Sequence, residues 1–252
     1  MRQRVNKSDQ AYDAVEAMIT FQELAPGSMI SEPILMHLTG FGRTPIREAL
    51  QRLARERMVE IHPNRGVFVA SASLEEQLKL LELRRVVEEL AVRLAAQRAN
   101  AQQAEAMQQL AEEFEQFSGD DVKDFAGLLK RAHQVVALAA YNHYLEVAMA
   151  PLQGLSRRFW FAHLRNPGED LRAAADLHGA ILRATCDGNE DDAAAASLAL
   201  NNYLTQFAHD TIRPPRARSP QVAPYRVTDH HKPRPAARRT ELSRGISLGS
   251  AK

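Results

Sequence analysis

Apolar residues over the first 70 positions fall into three helix-period segments followed by two short alternating runs. Tyr12, Val15, Met18 and Ile19 recur at three- and four-residue spacing; Ser8 and Asp9 ahead of them are candidate caps, and Pro26-Gly27 closes the segment as a turn. Ser31 predicts a cap on a second, shorter helix that tolerates Pro33 in its first turn and turns Ile34, Leu35 and Leu38 inward. Gly40 to Gly42 is the next turn. From Arg43 to Arg57, Ile46, Ala49, Leu50 and Leu53 keep the i, i+3, i+4, i+7 spacing of one buried face. At 100° per residue, Arg43, Thr44, Arg47, Gln51 and Arg55 then share the opposite face as a polar stripe. Val59-Glu60-Ile61 and Val67-Phe68-Val69 read as two strands of a hairpin whose tip, His62-Pro63-Asn64-Arg65-Gly66, is basic.

Beyond Ser73 the strand signals stop. Ser73 with Glu76 fits a capping box, and Leu78, Leu81, Leu83, Val87, Leu90 and Leu94 carry an apolar face toward Asn100. Further helices are expected over 101–117, 121–140, 143–163, 169–187 and 190–211. The predicted fold is therefore mostly α. A winged helix-turn-helix, three helices plus a β-hairpin, occupies 1–72, and an all-α antiparallel bundle of six helices occupies 73–212. Residues 213–252, with six of the twelve prolines and many arginines, are expected to be a disordered tail.

Composition narrows the class. Of 252 residues, 45% are hydrophobic and 25% charged, enough to bury a core. No apolar run approaches the roughly 18 to 20 residues of a membrane span, and the basic start leads into no apolar segment, so a cytoplasmic protein is expected. The one cysteine, Cys186, cannot form an internal disulfide, and no basic sequence neighbour activates it. Charge is uneven: residues 1–70 hold nine Lys+Arg against eight Asp+Glu, 71–212 hold 13 against 21, and 213–252 hold ten against two. The basic tail is read as an inert extension in preference to a second DNA contact.

The striped third helix suits the major groove, about 12 Å wide, which admits one helix and lets Arg43, Thr44 and Arg47 reach base edges. A basic stripe alone is common on solvated surfaces; the hairpin tip in the right order favours double-stranded DNA. The near-neutral balance of this segment makes nonspecific affinity modest, so a dimer would help. In the bundle, His133 and His178 lie in apolar helical contexts, where most histidines are simply structural, although imidazole also ligates Zn and Ni. Phe159-Trp160-Phe161 reads as helix packing, and Arg84 and Arg157 as partners of an acidic effector or of neighbouring carboxylates. A metal-dependent hydrolase around the two histidines is the enzyme alternative. It lacks HExxH, a third clear ligand and a general base, so no enzyme is expected.

Pro26-Gly27, Ile30-Ser31-Glu32 and the run RTPIREALQRLARERMVEIHPNRGVFVA, residues 43–70, resemble the DNA-binding domain of GntR-family bacterial transcriptional regulators. SLEEQLKLLELRRVVEELAVRLAAQRA, residues 73–99, resembles the opening of the FCD ligand-binding domain of the FadR-like branch. The resemblance, which covers residues 9 to about 211, implies a repressor that binds a palindromic operator as a homodimer. It assigns DNA contacts to Arg43, Thr44, Arg47, Asn64, Arg65 and Gly66. Three positions depart from the family pattern: Gly42 where Ser or Thr usually caps, Pro33 where some members carry Arg, and Arg57 where glycine is usual before the wing. Many FCD domains hold a divalent metal through an Asp and a His four residues apart plus two later histidines. His133 and His178 match, but Leu129 stands at the Asp position, and the third His position falls near Asn201, with Leu200 and Asn202 as neighbouring registers. Leu cannot ligate and an amide oxygen is a weak ligand for such ions. The expectation is that His133, His178 and Asn201 hydrogen-bond a small carboxylate effector directly. A bound Zn, Ni or Mn and a metal-free, acyl-CoA-type pocket are the alternatives.

Overall fold

The computed structural model describes residues 6–63, 65–118 and 121–212, all within one compact unit. Asn64 and the tail 213–252, both singled out above, lie outside them. The elements run α1 (Lys7–Thr20), β1 (Met29–Ile30), α2 (Glu32–Thr39), α3 (Arg43–Arg55), β2 (Val59–His62) and β3 (Gly66–Val69). There follow α4 (Leu74–Arg98), α5 (Ala101–Gln116), α6 (Val122–Ala139), α7 (His143–Ala162), α8 (Pro167–Cys186) and α9 (Glu190–Asp210). The fold is the expected one, a winged helix-turn-helix followed by a helical bundle.

Local chemistry sets most helix ends. Ser31 accepts from the Ile34 amide at 3.4 Å, Ser73 from Glu76 at 3.2 Å, and Asn100 with Gln103 forms a reciprocal capping box. The first helix corrects the expectation: its cap is Asn6, which accepts from the Ser8 amide at 3.2 Å, while the Ser8 hydroxyl donates to Glu48 on α3. Gly42 begins α3 without a side-chain cap, and Gly40 ends α2 at φ 72, where glycine is unstrained. Arg57 adopts φ 60, so the turn before the wing is left-handed although its residue carries a Cβ.

The hairpin acquires a third strand that the pattern did not predict. β1 pairs antiparallel with β3, Met29 opposite Phe68 and Ile30 opposite Val67, giving the order β1-β3-β2. Ile46, Leu50 and Leu53 of α3 pack with Val15, Ile19, Leu35, Met58 and Val69 in the first core. Ile34 and Leu38, expected to face inward, are instead more than half exposed, because the short α2 buries only Leu35 on that core. In the bundle α4 packs on α9 and α5 on α8 around Met107, Phe114, Phe125, Trp160 and Leu182. Leu81 of α4 is buried as expected, but Leu83 and Leu90, expected on the same face, point outward, and Val92 and Ala95 are buried in their place.

Helix α7 joins the two parts. Leu155 packs against the first core, Phe21 meets Phe161 with ring centroids 5.4 Å apart, and Arg158 donates to the Ala70 carbonyl in the connector between β3 and α4. Arg157 pairs with Glu16 of α1 at 2.6 Å, while Lys130 of α6 lies 2.5 Å from Asp13 and 3.7 Å from Glu16. Among the described residues no helix is long and apolar enough to cross a membrane.

Candidate DNA-binding face and buried histidine cavity

Burying Ile46, Leu50 and Leu53 turns the opposite side of α3 to solvent. Arg43, Thr44 and Arg47 are exposed at its N-terminal end, and Arg65 and Gly66 are exposed in the wing. Gly66 sits at φ 99, a backbone conformation that favours glycine whatever its part in a DNA contact. The sequence reading missed Glu32. Its carboxylate accepts from Arg43 Nε at 3.2 Å and from Arg47 Nε at 2.7 Å, tying the two arginines together from α2. Hydrogen bonding to Arg47, and then to Arg43, holds the Glu32 carboxyl below the usual carboxylate range. Each guanidinium has further N–H donors for a base or phosphate. An acidic residue at the start of a helix reads from sequence as dipole stabilisation alone, so only the α2–α3 packing discloses this pairing.

The bundle brings His133 of α6 and His178 of α8 together, ring centroids 5.5 Å apart. His178 Nδ1 donates to the Ala174 carbonyl at 2.8 Å, which leaves Nε2 as an acceptor, and that atom is buried without a partner. Both ring nitrogens of His133 are buried and unpartnered too. Burial pushes the His178 pKa down to about 4 despite its backbone bond, with the Arg84 charge acting the same way. Burial likewise holds His133 well below the usual imidazole value, helped by His178, Arg84 and Arg157. Both rings are neutral near pH 7.

The two histidines line a small cavity of about 30 Å³ with Glu88, Gln153 and Leu200, and an adjoining one of about 20 Å³ with Arg84, Leu129, Ser156 and Arg157. Each has room on the order of one water. Arg84 Nε lies 2.9 Å from Glu88 Oε2 with both side chains buried, Gln153 Nε2 donates to Glu88 Oε1 at 3.0 Å, and Gln77 donates to Ser156. Glu88, Gln153 and Ser156 were not predicted as site residues, though the i, i+4 spacing of Arg84 and Glu88 was available as a signal.

Asn201 does not join the histidines. Its Nδ2 donates to the Leu81 carbonyl at 3.0 Å, fastening α9 to α4, and α9 turns Leu200 to the cavity instead. Asn202, the other neighbouring register, is exposed and accepts from Arg85. Leu129 lines the cavity as an apolar wall, and the acidic side chain there, Glu88, is taken by Arg84 and Gln153. No three His, Cys, Asp or Glu side chains converge among the described residues. Two imidazoles beside a leucine and a committed carboxylate do not fit the Zn, Ni or Mn site considered above.

Both regions resemble known bacterial regulators. Residues 7–69 match the bacterial regulatory proteins of the gntR family, and residues 79–203 match the FCD domain. The chain is 30% identical over 175 residues to the Nta operon transcriptional regulator of Aminobacter aminovorans, covering 69% of this chain and 81% of that protein. It is 26% identical over 190 residues to the HTH-type transcriptional repressor RspR of Escherichia coli (strain K12), covering 73% and 82%. The structure of E. coli McbR/YncC superposes with a TM-score of 0.69 at 18% identity, over 82% of this chain and 98% of that one, and so supports the fold.

Two outcomes are expected from this geometry. Glu32→Gln should free Arg43 and Arg47 for phosphates, strengthening binding to random duplex and steepening the log–log salt dependence by about 1, read by fluorescence anisotropy across a salt series. An unchanged slope would remove Glu32 from the DNA-binding face. Because the folded state holds His178 neutral, unfolding takes up a proton between about pH 4 and the ordinary value of 6.5. Stability is then undiminished above pH 6.5 and falls toward pH 4, by about 3 kcal/mol for this one group. Urea unfolding of the wild type and His178→Gln at pH 7 and 4.5 checks it, with a smaller pH difference expected in the variant.

Proposed function

We propose that this chain, which belongs to the gntR family of bacterial regulatory proteins and carries an FCD domain, is a ligand-responsive repressor that binds a palindromic operator as a homodimer. Arg43, Thr44 and Arg47 read base edges in the major groove, while the wing at Asn64, Arg65 and Gly66 grips the backbone. The observation that carries this reading is the pair of exposed arginines at the start of α3, aligned by one carboxylate on a helix whose other face is fully packed. Repression follows the named role of RspR.

Dimerisation is supported by a stripe on α4. Leu83, Val86 and Leu90 stand 46–65% exposed at i, i+3, i+7 spacing, and Tyr144 and Val147 on α7, which packs beside α4, are more exposed still. Such a run on one face fits a second copy of the same surface related by a two-fold axis, the arrangement that presents two recognition helices to a palindrome. The effector is a small carboxylate that hydrogen-bonds through His133 and His178 with Arg84 and Arg157 nearby. Cavities of about 30 and 20 Å³ are too small for it, so binding selects a more open helical arrangement, and that difference is what shifts the DNA-binding equilibrium. The chain acts in the cytoplasm and has no catalytic role.

In vitro selection from random duplexes tests the reading. The expected product is an inverted repeat, on which Arg47→Ala costs roughly 1 to 3 kcal/mol at one base position and little on unselected DNA. Equal losses on selected and random duplexes, or no enrichment, would contradict it.

A further inference from the structure

Arg157 faces two ways. Its Nη2 donates to Glu16 Oε1 at 2.6 Å, and both side chains are about nine-tenths buried, with 9% and 8% of their surface exposed. The same side chain lines the cavity that holds His133 and His178. The other cation lining that cavity, Arg84, is already paired with Glu88. An anion entering beside the histidines therefore meets one guanidinium whose partner lies outside the cavity, on α1 of the DNA-binding domain.

Resting on the reading that a carboxylate enters this cavity, we propose that Arg157 is shared between effector and Glu16, so that the effector's anionic group takes Arg157 and releases α1 from α7. A buried carboxylate that loses a charged partner cannot stay dry at the same free energy. Lys130 is the other cation near Glu16, but at 3.7 Å it is the more distant one, and it is also bound to Asp13. Glu16 regains solvation only if α1 lifts away, and α1 packs directly on α3. Movement at Arg157 thus reaches the recognition helix through one ion pair and one helix. Linkage makes the effect reciprocal: Glu16 weakens anion binding by the same factor with which the anion weakens docking.

If Arg157 were only a clamp, Glu16 would have no influence on anion affinity, and this separates the two roles. The full-length protein is titrated calorimetrically with acetate, malonate and citrate at matched ionic strength, as wild type, Glu16→Gln, Arg157→Gln, Lys130→Met and His178→Leu. Hydrogen exchange is followed in α1, Lys7–Thr20. Sharing requires that a carboxylate bound by the wild type bind Glu16→Gln about tenfold tighter, within the usual range of coupling between sites. It also requires that Arg157→Gln bind it far more weakly, and that the ligand speed α1 exchange in the wild type. Lys130→Met, which removes the other cation near Glu16 without touching the cavity, should bind the carboxylate more weakly than the wild type, because Glu16 then holds Arg157 more tightly. Should Arg157→Gln not fold, the wild type against Glu16→Gln and the exchange readout decide alone. Equal affinity in wild type and Glu16→Gln, with α1 exchange unmoved, overturns the sharing and leaves the carboxylate site standing. Binding that survives His178→Leu, or no binding to any variant, overturns the cavity reading and the sharing with it.

Discussion

A carboxylate withdrawn from water stays ionised only where fixed cations offset its lost hydration, and Glu16 is in that position. Burial pushes its carboxyl up, but Arg157, Lys130 and the Arg157 hydrogen bond outweigh this and hold it below the usual range. The cations come from α6 and α7, the carboxylate from α1, so the pair fixes where the winged helix sits on the bundle. From there the order of support runs through α1 to α3, whose placement aims Arg43 and Arg47. The rim pairs Lys123–Glu23 and Lys130–Asp13 are largely exposed and contribute little by comparison. Arg158, which pairs with no carboxylate among the described residues and whose pKa is lowered by burial, adds a second tie at the Ala70 carbonyl.

The bundle accepts polar groups in its interior at a similar cost. Arg84, Glu88, Gln153, Gln77 and Ser156 are buried and satisfy one another in part, while His133 and His178 present nitrogens to a space that holds little more than a water. Fully apolar side chains would pack this region better, so these groups stabilise a particular arrangement weakly, in keeping with the proposed entry of a polar effector. Arg157 lines that region and also pairs with Glu16, so under the proposed coupling a small volume would govern a large surface.

Sequence patterns disclosed the elements whose causes are local. Ser31, Ser73 and Gly40 mark helix ends through their own backbone and side-chain chemistry, and the 3.6-residue period at Ile46, Leu50 and Leu53 put Arg43 and Arg47 on the outer face. What escaped was set by distant partners. β1 has two residues, too few for an alternating pattern, and exists because Phe68 and Val67 lie opposite it. Ser8 looked like a cap until α3 brought Glu48 to its hydroxyl. Glu32 entered only through the family resemblance, with no sign that it holds Arg43 and Arg47, and Asn201 was expected at the cavity although its amide holds the Leu81 carbonyl. Spacing matched His133 and His178 to the family, but their approach across α6 and α8, and the position of Arg157 beside both them and Glu16, depended on bundle packing.

A double-mutant cycle on Glu16 and Arg157 addresses the coupling of the two parts most directly. Unfolding free energies of the wild type, Glu16→Gln, Arg157→Gln and the double variant are measured in urea at pH 7. A buried pair that joins the domains should be non-additive by roughly 1 to 3 kcal/mol, the double variant losing less than the two single variants together. Additivity within about 0.5 kcal/mol would contradict the coupling and leave the two parts merely adjacent.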